Sequence, residues 1–119
     1  MRSSRHWKPD PRRGRLRSAQ PGAGMTAYVH GEIEVTDAAA YEGYRLQVPA
    51  IIAAYGGRYL VRGRQATVLE GDIAPRRQVI LEFPDMDSLL AFYDCPEYTP
   101  LKDLRQRISV GNLVAIEGV

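Results

Sequence analysis

Two short runs limit what this chain can become: Gly57-Arg58-Tyr59-Leu60-Val61-Arg62-Gly63 and Arg77-Gln78-Val79-Ile80-Leu81-Glu82-Phe83-Pro84. In both, apolar residues fill one side of a period-2 pattern, and Arg and Glu interrupt the other. Successive side chains on a strand point to opposite faces, so each run builds a strand with one face fit for a core and one carrying scattered charge.

The segments around these runs complete a topology. Ala27 to Val35 alternates, with Val29, Ile33 and Val35 on one side and Tyr28, His30, Glu32 and Glu34 on the other, which predicts a first strand. Asp37 is placed to cap a helix in which Tyr41, Tyr44, Val48, Ile51, Ile52 and Tyr55 recur at helical spacing until Gly56-Gly57 stops it. Pro49 lies inside that helix and is expected to kink or divide it. The second strand is expected over Arg58 to Arg62, followed by Thr67 to Glu70, a turn around Gly71-Asp72, and a strand from Gln78 to Phe83. Asp85 caps a helix with Met86, Leu89, Leu90 and Tyr93 on one stripe, Cys95-Pro96 breaks it, and Thr99-Pro100 restarts a helix with Leu101, Leu104 and Ile108 inward. Asn112 to Glu117 supplies the last strand. The order β-α-β-β-α-β is the ferredoxin-like split unit, an α+β fold with an antiparallel sheet and its helices on one face.

Composition sets the scale. A chain of 119 residues, 45% hydrophobic and 25% charged, has material for one domain. Its apolar stretches fall short of the roughly 20 residues that span a bilayer, so no membrane association and a cytoplasmic location are expected. Cys95 stands alone, which excludes an intrachain disulfide and a thiolate zinc site. The net charge of +2 is unevenly spread: residues 1–24 carry +6 and residues 25–119 carry −4. The first stretch, rich in Arg, Pro and Gly, is expected to be a disordered basic extension, and 25–119 the folded domain. The extension reads as a nucleic-acid tail, a targeting peptide or a segment upstream of a start at Met25. The acidic balance of the domain argues against nucleic acid as its own partner.

Helices on one face should bury Val29, Ile33, Tyr59, Val61, Val79, Leu81 and Phe83. Alternation leaves Tyr28, His30, Glu32, Arg58, Leu60, Arg62, Gln78, Ile80 and Glu82 on the open face. A domain this small gains little by leaving Leu60 and Ile80 in water, and two copies packed sheet to sheet would cover them, enclosing a pocket for a small organic ligand.

With Val35-Thr36-Asp37, Tyr44, Pro49, Gly56 to Gly63, Glu70-Gly71, Val79 to Pro84, Tyr93, Pro96-Glu97-Tyr98, Arg105 and Ser109, the chain resembles the domain-of-unknown-function family 1330 from Ala27 to Gly118. The resemblance implies a ferredoxin-like dimeric α/β barrel, related in architecture to cofactor-free monooxygenases and muconolactone isomerases, and no settled reaction. Cys95 departs from it, since serine is more usual there.

Candidate chemistry sits on the expected open face. Arg62 and Glu82, placed side by side, would orient one another and offer a guanidinium edge to a carboxylate or enolate; the same pair equally reads as an ion pair completing a dimer interface. His30 beside Glu32 reads as a general base or as a packed histidine. Tyr28, Glu32, Arg58, Leu60 and Ile80 would line the pocket. Tyr44 would shape its mouth or pack in the core. His30, Glu32 and Glu82 lack metal-ligand spacing, and no glycine-rich phosphate loop is present, so no metal and no cofactor are expected. Two functions follow: a cofactor-free isomerase-, cyclase- or monooxygenase-like enzyme for a carbonyl or enol compound, or a noncatalytic small-molecule-binding or stress-related dimeric module.

Overall fold

The computed structural model describes residues 25–119, so the expectations for the basic extension lie outside the described residues. Among the described residues, four strands and three helices follow in chain order: β1 (Ala27–Val35), α1 (Ala38–Ala54), β2 (Arg58–Arg64), β3 (Arg77–Phe83), α2 (Met86–Asp94), α3 (Thr99–Ile108) and β4 (Ser109–Glu117). The strands form one sheet in the order β2-β3-β1-β4, every neighbouring pair antiparallel. This is the split βαβ arrangement that the alternation and helix signals predict.

Local chemistry sets the helix ends where the sequence places them. Asp37 Oδ1 accepts the Ala40 amide at 3.1 Å, and Asp85 Oδ1 accepts the Ser88 amide at 2.7 Å, each satisfying a donor that the first turn leaves orphaned. At the far end of α1, Gly56 adopts φ +82°, and the Gly56 and Gly57 amides return to the carbonyls of Ala53 and Ile52. Among the described residues, no helix is long and apolar enough to cross a membrane.

Helix α1 runs unbroken through Pro49. A proline has no amide to return to the carbonyl four residues earlier, here Arg45. That carbonyl accepts instead from the Arg62 guanidinium of β2 at 2.6 Å. The bond lost inside the helix is replaced from the sheet edge, and the helix is thereby tied to β2.

The helices cover one face of the sheet. Val29, Leu81 and Phe83 from the strands pack with Val48 and Ile52 of α1, Met86, Leu89 and Phe92 of α2, and Leu101 of α3. Phe92 stacks between Phe83 and Tyr98, with ring centroids 5.3 and 4.5 Å away. Burying these side chains contributes about 1.5–3 kcal/mol each, so this layer is the main source of stability.

Strand β2 departs from the sequence reading. It extends to Arg64, and Thr67 to Glu70 lies in the irregular connection 65–76 rather than in a strand. The register also slips twice: Tyr59 pairs with Leu81 but Val61 with Ile80, and Arg62 pairs with Val79 but Arg64 with Gln78. Each slip inserts one extra residue in β2, Leu60 and then Gly63, whose φ of +68° only glycine adopts freely. An extra residue reverses the face of everything beyond it. Strand β4 begins at Ser109, directly after α3, with Ser109 Oγ donating to the Arg105 carbonyl.

Candidate functional site: a cavity beneath the helices

The ladder places the expected site residues face by face. Tyr28, Glu82 and Arg58 are cross-strand neighbours, as are His30 and Ile80, and Glu32 and Gln78; all share the face away from the helices. Leu60 sits at the bulge, 44% exposed. Every polar member of this set has a lateral partner. His30 Nε2 lies 2.7 Å from Gln78 Oε1, Arg58 Nε donates to Glu82 Oε1 at 2.8 Å, and Asn112 donates to Glu32 at 2.7 Å with Arg76 3.5 Å away. The Tyr28 hydroxyl accepts from Thr26 Oγ1 at 3.1 Å. Among the described residues, His30, Glu32 and Glu82 do not gather into a group able to hold a metal ion.

Two placements are corrected. Arg62 was expected on the open face beside Glu82. The slip at Leu60 turns it to the helix side, where it lies over the Tyr59 ring at 4.5 Å and binds the Arg45 carbonyl. Glu82 pairs with Arg58 instead. By the same slip Val61, expected in the core, stands opposite Ile80 on the open face.

Tyr44 is buried on the helix side and lines a cavity of about 40 Å³ between sheet and helices. The walls are aliphatic and aromatic, with Val29 and Leu81 from the sheet, Val48 and Ile52 from α1, and Phe92 from α2. The polar groups come from Tyr41, Tyr44, Tyr59, Tyr98 and Arg105. Tyr44 and Tyr98 hydroxyls are 2.8 Å apart, and Arg105 Nε donates to the Tyr98 hydroxyl at 3.3 Å. Arg105 is 8% exposed, yet no carboxylate among the described residues pairs with it. Arg105 is also part of the wall of an open surface depression with Tyr93, Ser109, Val110 and Asn112, so it borders both spaces, as Ile33 and Leu113 do.

Burial governs the ionisation of the phenols. It drives the Tyr44 hydroxyl far above its ordinary range, reinforced by Tyr98. Burial raises Tyr59 to about 12, opposed by Arg62. Burial also raises Tyr41, opposed by Arg105, Arg62 and Arg77. These tyrosines are neutral hydrogen-bonding groups at ordinary pH. A guanidinium held against neutral phenols in an apolar enclosure is a preformed seat for a negatively charged or strongly polarised oxygen.

Arg105 was not read from the sequence as a site residue, although its signal is present. Residues 101, 104, 105 and 108 form one i, i+3, i+4, i+7 stripe, and Arg105 is the charge on it.

Residues 26–119 match the family described as domain of unknown function (DUF1330). The chain belongs to this family. Among solved structures, this DUF1330 chain is similar to a protein of unknown function from Rhodopseudomonas palustris, with TM-score 0.65 and 17% identity over 94% of this chain and 95% of that one. The methylated form of that protein matches with TM-score 0.65 and 16% identity, covering 94% and 93%. SnoaB, a cofactor-independent oxygenase from Streptomyces nogalater, matches with TM-score 0.49 and 13% identity over 82% of this chain and 95% of that one. A comparison with curated proteins returns no match. The Rhodopseudomonas likeness supports the ferredoxin-like α+β fold of this DUF1330 domain.

Proposed function

We propose that this protein binds a small organic molecule through a carbonyl or enol oxygen in the cavity beneath the helices, with Arg105 as the group that holds that oxygen. The observation that carries this reading is a buried guanidinium whose side-chain contact is a phenol. Desolvating a charge costs several kcal/mol even after relaxation, and a protein that needed only structure would place a carboxylate or an apolar residue there. Where the ligand develops negative charge during a reaction, the same guanidinium and the Tyr98 and Tyr44 hydroxyls act as a preorganised oxyanion site. That supports a small enzyme working with its own side chains. A noncatalytic binding module would use the same cavity.

The open face supports a second copy as partner. Leu60, Val110, Val114 and Ile116 are each between 44% and 50% exposed, and cross-strand pairing puts Val110, Val114 and Ile116 on one side of the sheet with Ile80 and Val61. Acids and bases alternate around this patch, a surface complementary to itself under a two-fold axis. His30 and Glu82, already paired laterally, serve this interface in our reading rather than the chemistry.

Calorimetric titration with acetylacetone, a small enolisable diketone, tests the site. Saturable binding by the unaltered protein and its loss in Arg105→Gln, with the fold retained by circular dichroism, is the expected result. Equal binding by both proteins sinks the reading.

A further inference from the structure

We infer that the cavity takes its ligand as a preformed enolate, ionised by the ligand's own acidity, because among the described residues no group facing Arg105 can act as a base. This rests on the function proposed above and concerns the charge state of the ligand.

The charge inventory around the cavity is one-sided. Strand β1 contributes Val29, Gly31 and Ile33; β3 contributes Val79 and Leu81; β4 contributes Leu113; none of these titrates. Helix α1 contributes Tyr41 and Tyr44, β2 contributes Tyr59, α2 contributes Phe92, and α3 with the residue before it contributes Arg105 and Tyr98. Beyond the wall, Arg62 and Arg77 act on Tyr41, and both lie on the helix side by their pairing with Val79 and Ile33. The carboxylate sensed at that edge is Glu42, an exposed group already bound to Arg45 at 2.6 Å. On the depression side, Tyr93, Gln106, Ser109 and Asn112 add no base. Glu32 and His30 are on the opposite face of the sheet, where the Glu32 carboxylate is taken up by Asn112 at 2.7 Å and Arg76 at 3.5 Å, and His30 lies 2.7 Å from Gln78.

A general base must lie within hydrogen-bond reach of the proton that it removes. Burial holds Tyr41, Tyr44 and Tyr59 neutral, the Tyr98 hydroxyl is already engaged by Tyr44 and Arg105, and the arginines stay protonated throughout the accessible range. The field of three guanidinium groups favours an anion and opposes any added positive charge. Size narrows the class further. A buried water needs about 10–15 Å³ by the same measure of volume, so 40 Å³ corresponds to about three heavy atoms. That fits the C–C–O unit of an enolate, the remainder of the molecule extending past Arg105 into the open depression. The apolar, aromatic walls suit its flat carbon skeleton, and Arg105 and Tyr98 its oxygen.

The test uses acetylacetone and its more acidic 3-chloro derivative, whose enolates are distinguished from the neutral forms by ultraviolet absorbance. With the full-length protein, affinity should rise with pH, and the midpoint of the rise should move to lower pH for the chloro compound. The bound probe should show the enolate spectrum at pH values where the free probe is still neutral, because Arg105 stabilises the anion. Removing that charge in Arg105→Gln should weaken binding by about tenfold to a hundredfold, the loss of one charged hydrogen bond. Arg105→Lys retains charge and should recover part of it, which controls for misfolding. A midpoint that stays at one pH for both probes, or a bound spectrum of the neutral form, overturns the preformed-enolate inference while leaving the site in place. Failure of both probes to bind at any pH, or binding indifferent to Arg105, overturns the site itself.

Discussion

The two faces of the sheet carry polar groups in opposite ways. On the open face Arg58 meets Glu82, His30 meets Gln78, and Asn112 meets Glu32, so each polar group is neutralised by a neighbour one strand away. Beneath the helices, Arg105 is more deeply buried than any of these and meets phenols only, among the described residues. Charges that are paired in half-water cost little and say little about ligands. A charge withdrawn from water without a counter-charge is expensive, and the expense points to something that binds there.

The comparison breaks first on stability. Phe83→Ala, on the helix side at 0% exposure, should lower unfolding stability by about 3–5 kcal/mol in urea denaturation. Ile116→Ala on the open face should cost below about 1 kcal/mol per subunit at low protein concentration, yet shift sedimentation toward the monomer. Equal costs at the two positions would mean that both faces are core.

Alkaline titration probes the buried phenols. Tyr59 has a folded-state value of about 12 against 10.0 in the unfolded chain, and a value raised on folding favours the native state fully below the lower number. That contribution is lost as pH climbs from 10 toward 12, and Tyr44 adds to the loss in the same direction. The expected result is a denaturation midpoint that falls across this window, with tyrosinate absorbance appearing together with unfolding. A midpoint flat across that window would place these rings in water.

The tie between Pro49 and Arg62 gives a smaller effect. In the unaltered protein Arg62→Ala should cost about 1 kcal/mol, the worth of a hydrogen bond exposed to solvent. In a Pro49→Ala background the restored helical amide takes the Arg45 carbonyl, and the same change should cost about 1 kcal/mol less. Strict additivity in that double-mutant cycle would separate the two residues. Smaller again, Arg58→Ala on the open face, an ion pair with its guanidine 70% exposed, should cost about 0.2–1 kcal/mol and vanish in high salt. Arg105→Met should leave the urea midpoint unchanged or raise it despite the burial of the residue, because an unpaired desolvated charge is removed. A large loss there would make Arg105 a structural residue and dissolve the contrast between the faces.

Much of the fold was legible because it rests on local rules. Alternation in Ala27–Val35, the caps at Asp37 and Asp85, and the stop at Gly56 each act over a few residues. The site was far less legible. Period-2 counting through β2 puts Arg62 beside Glu82, and the count fails because two residues are inserted against the partner strand. Nothing in Arg58 to Arg64 alone reports those insertions, except that Gly63 tolerates the backbone angle that one of them needs. Arg105 was visible as a charge on an apolar stripe, and its meaning depended on whether a carboxylate from elsewhere would meet it.

Sequence by itself determined the order of the main elements, the helix starts after Asp37 and Asp85, and the family, since periodicity and capping are properties of neighbouring residues. Tertiary structure alone decided which side of the sheet each β2 residue faces, that Arg62 replaces the amide missing at Pro49, and that Arg105 is shut in with Tyr44 and Tyr98. Those outcomes depend on strand register and on contacts between residues as far apart as Tyr44 and Tyr98, which only the assembled sheet and helices bring into reach.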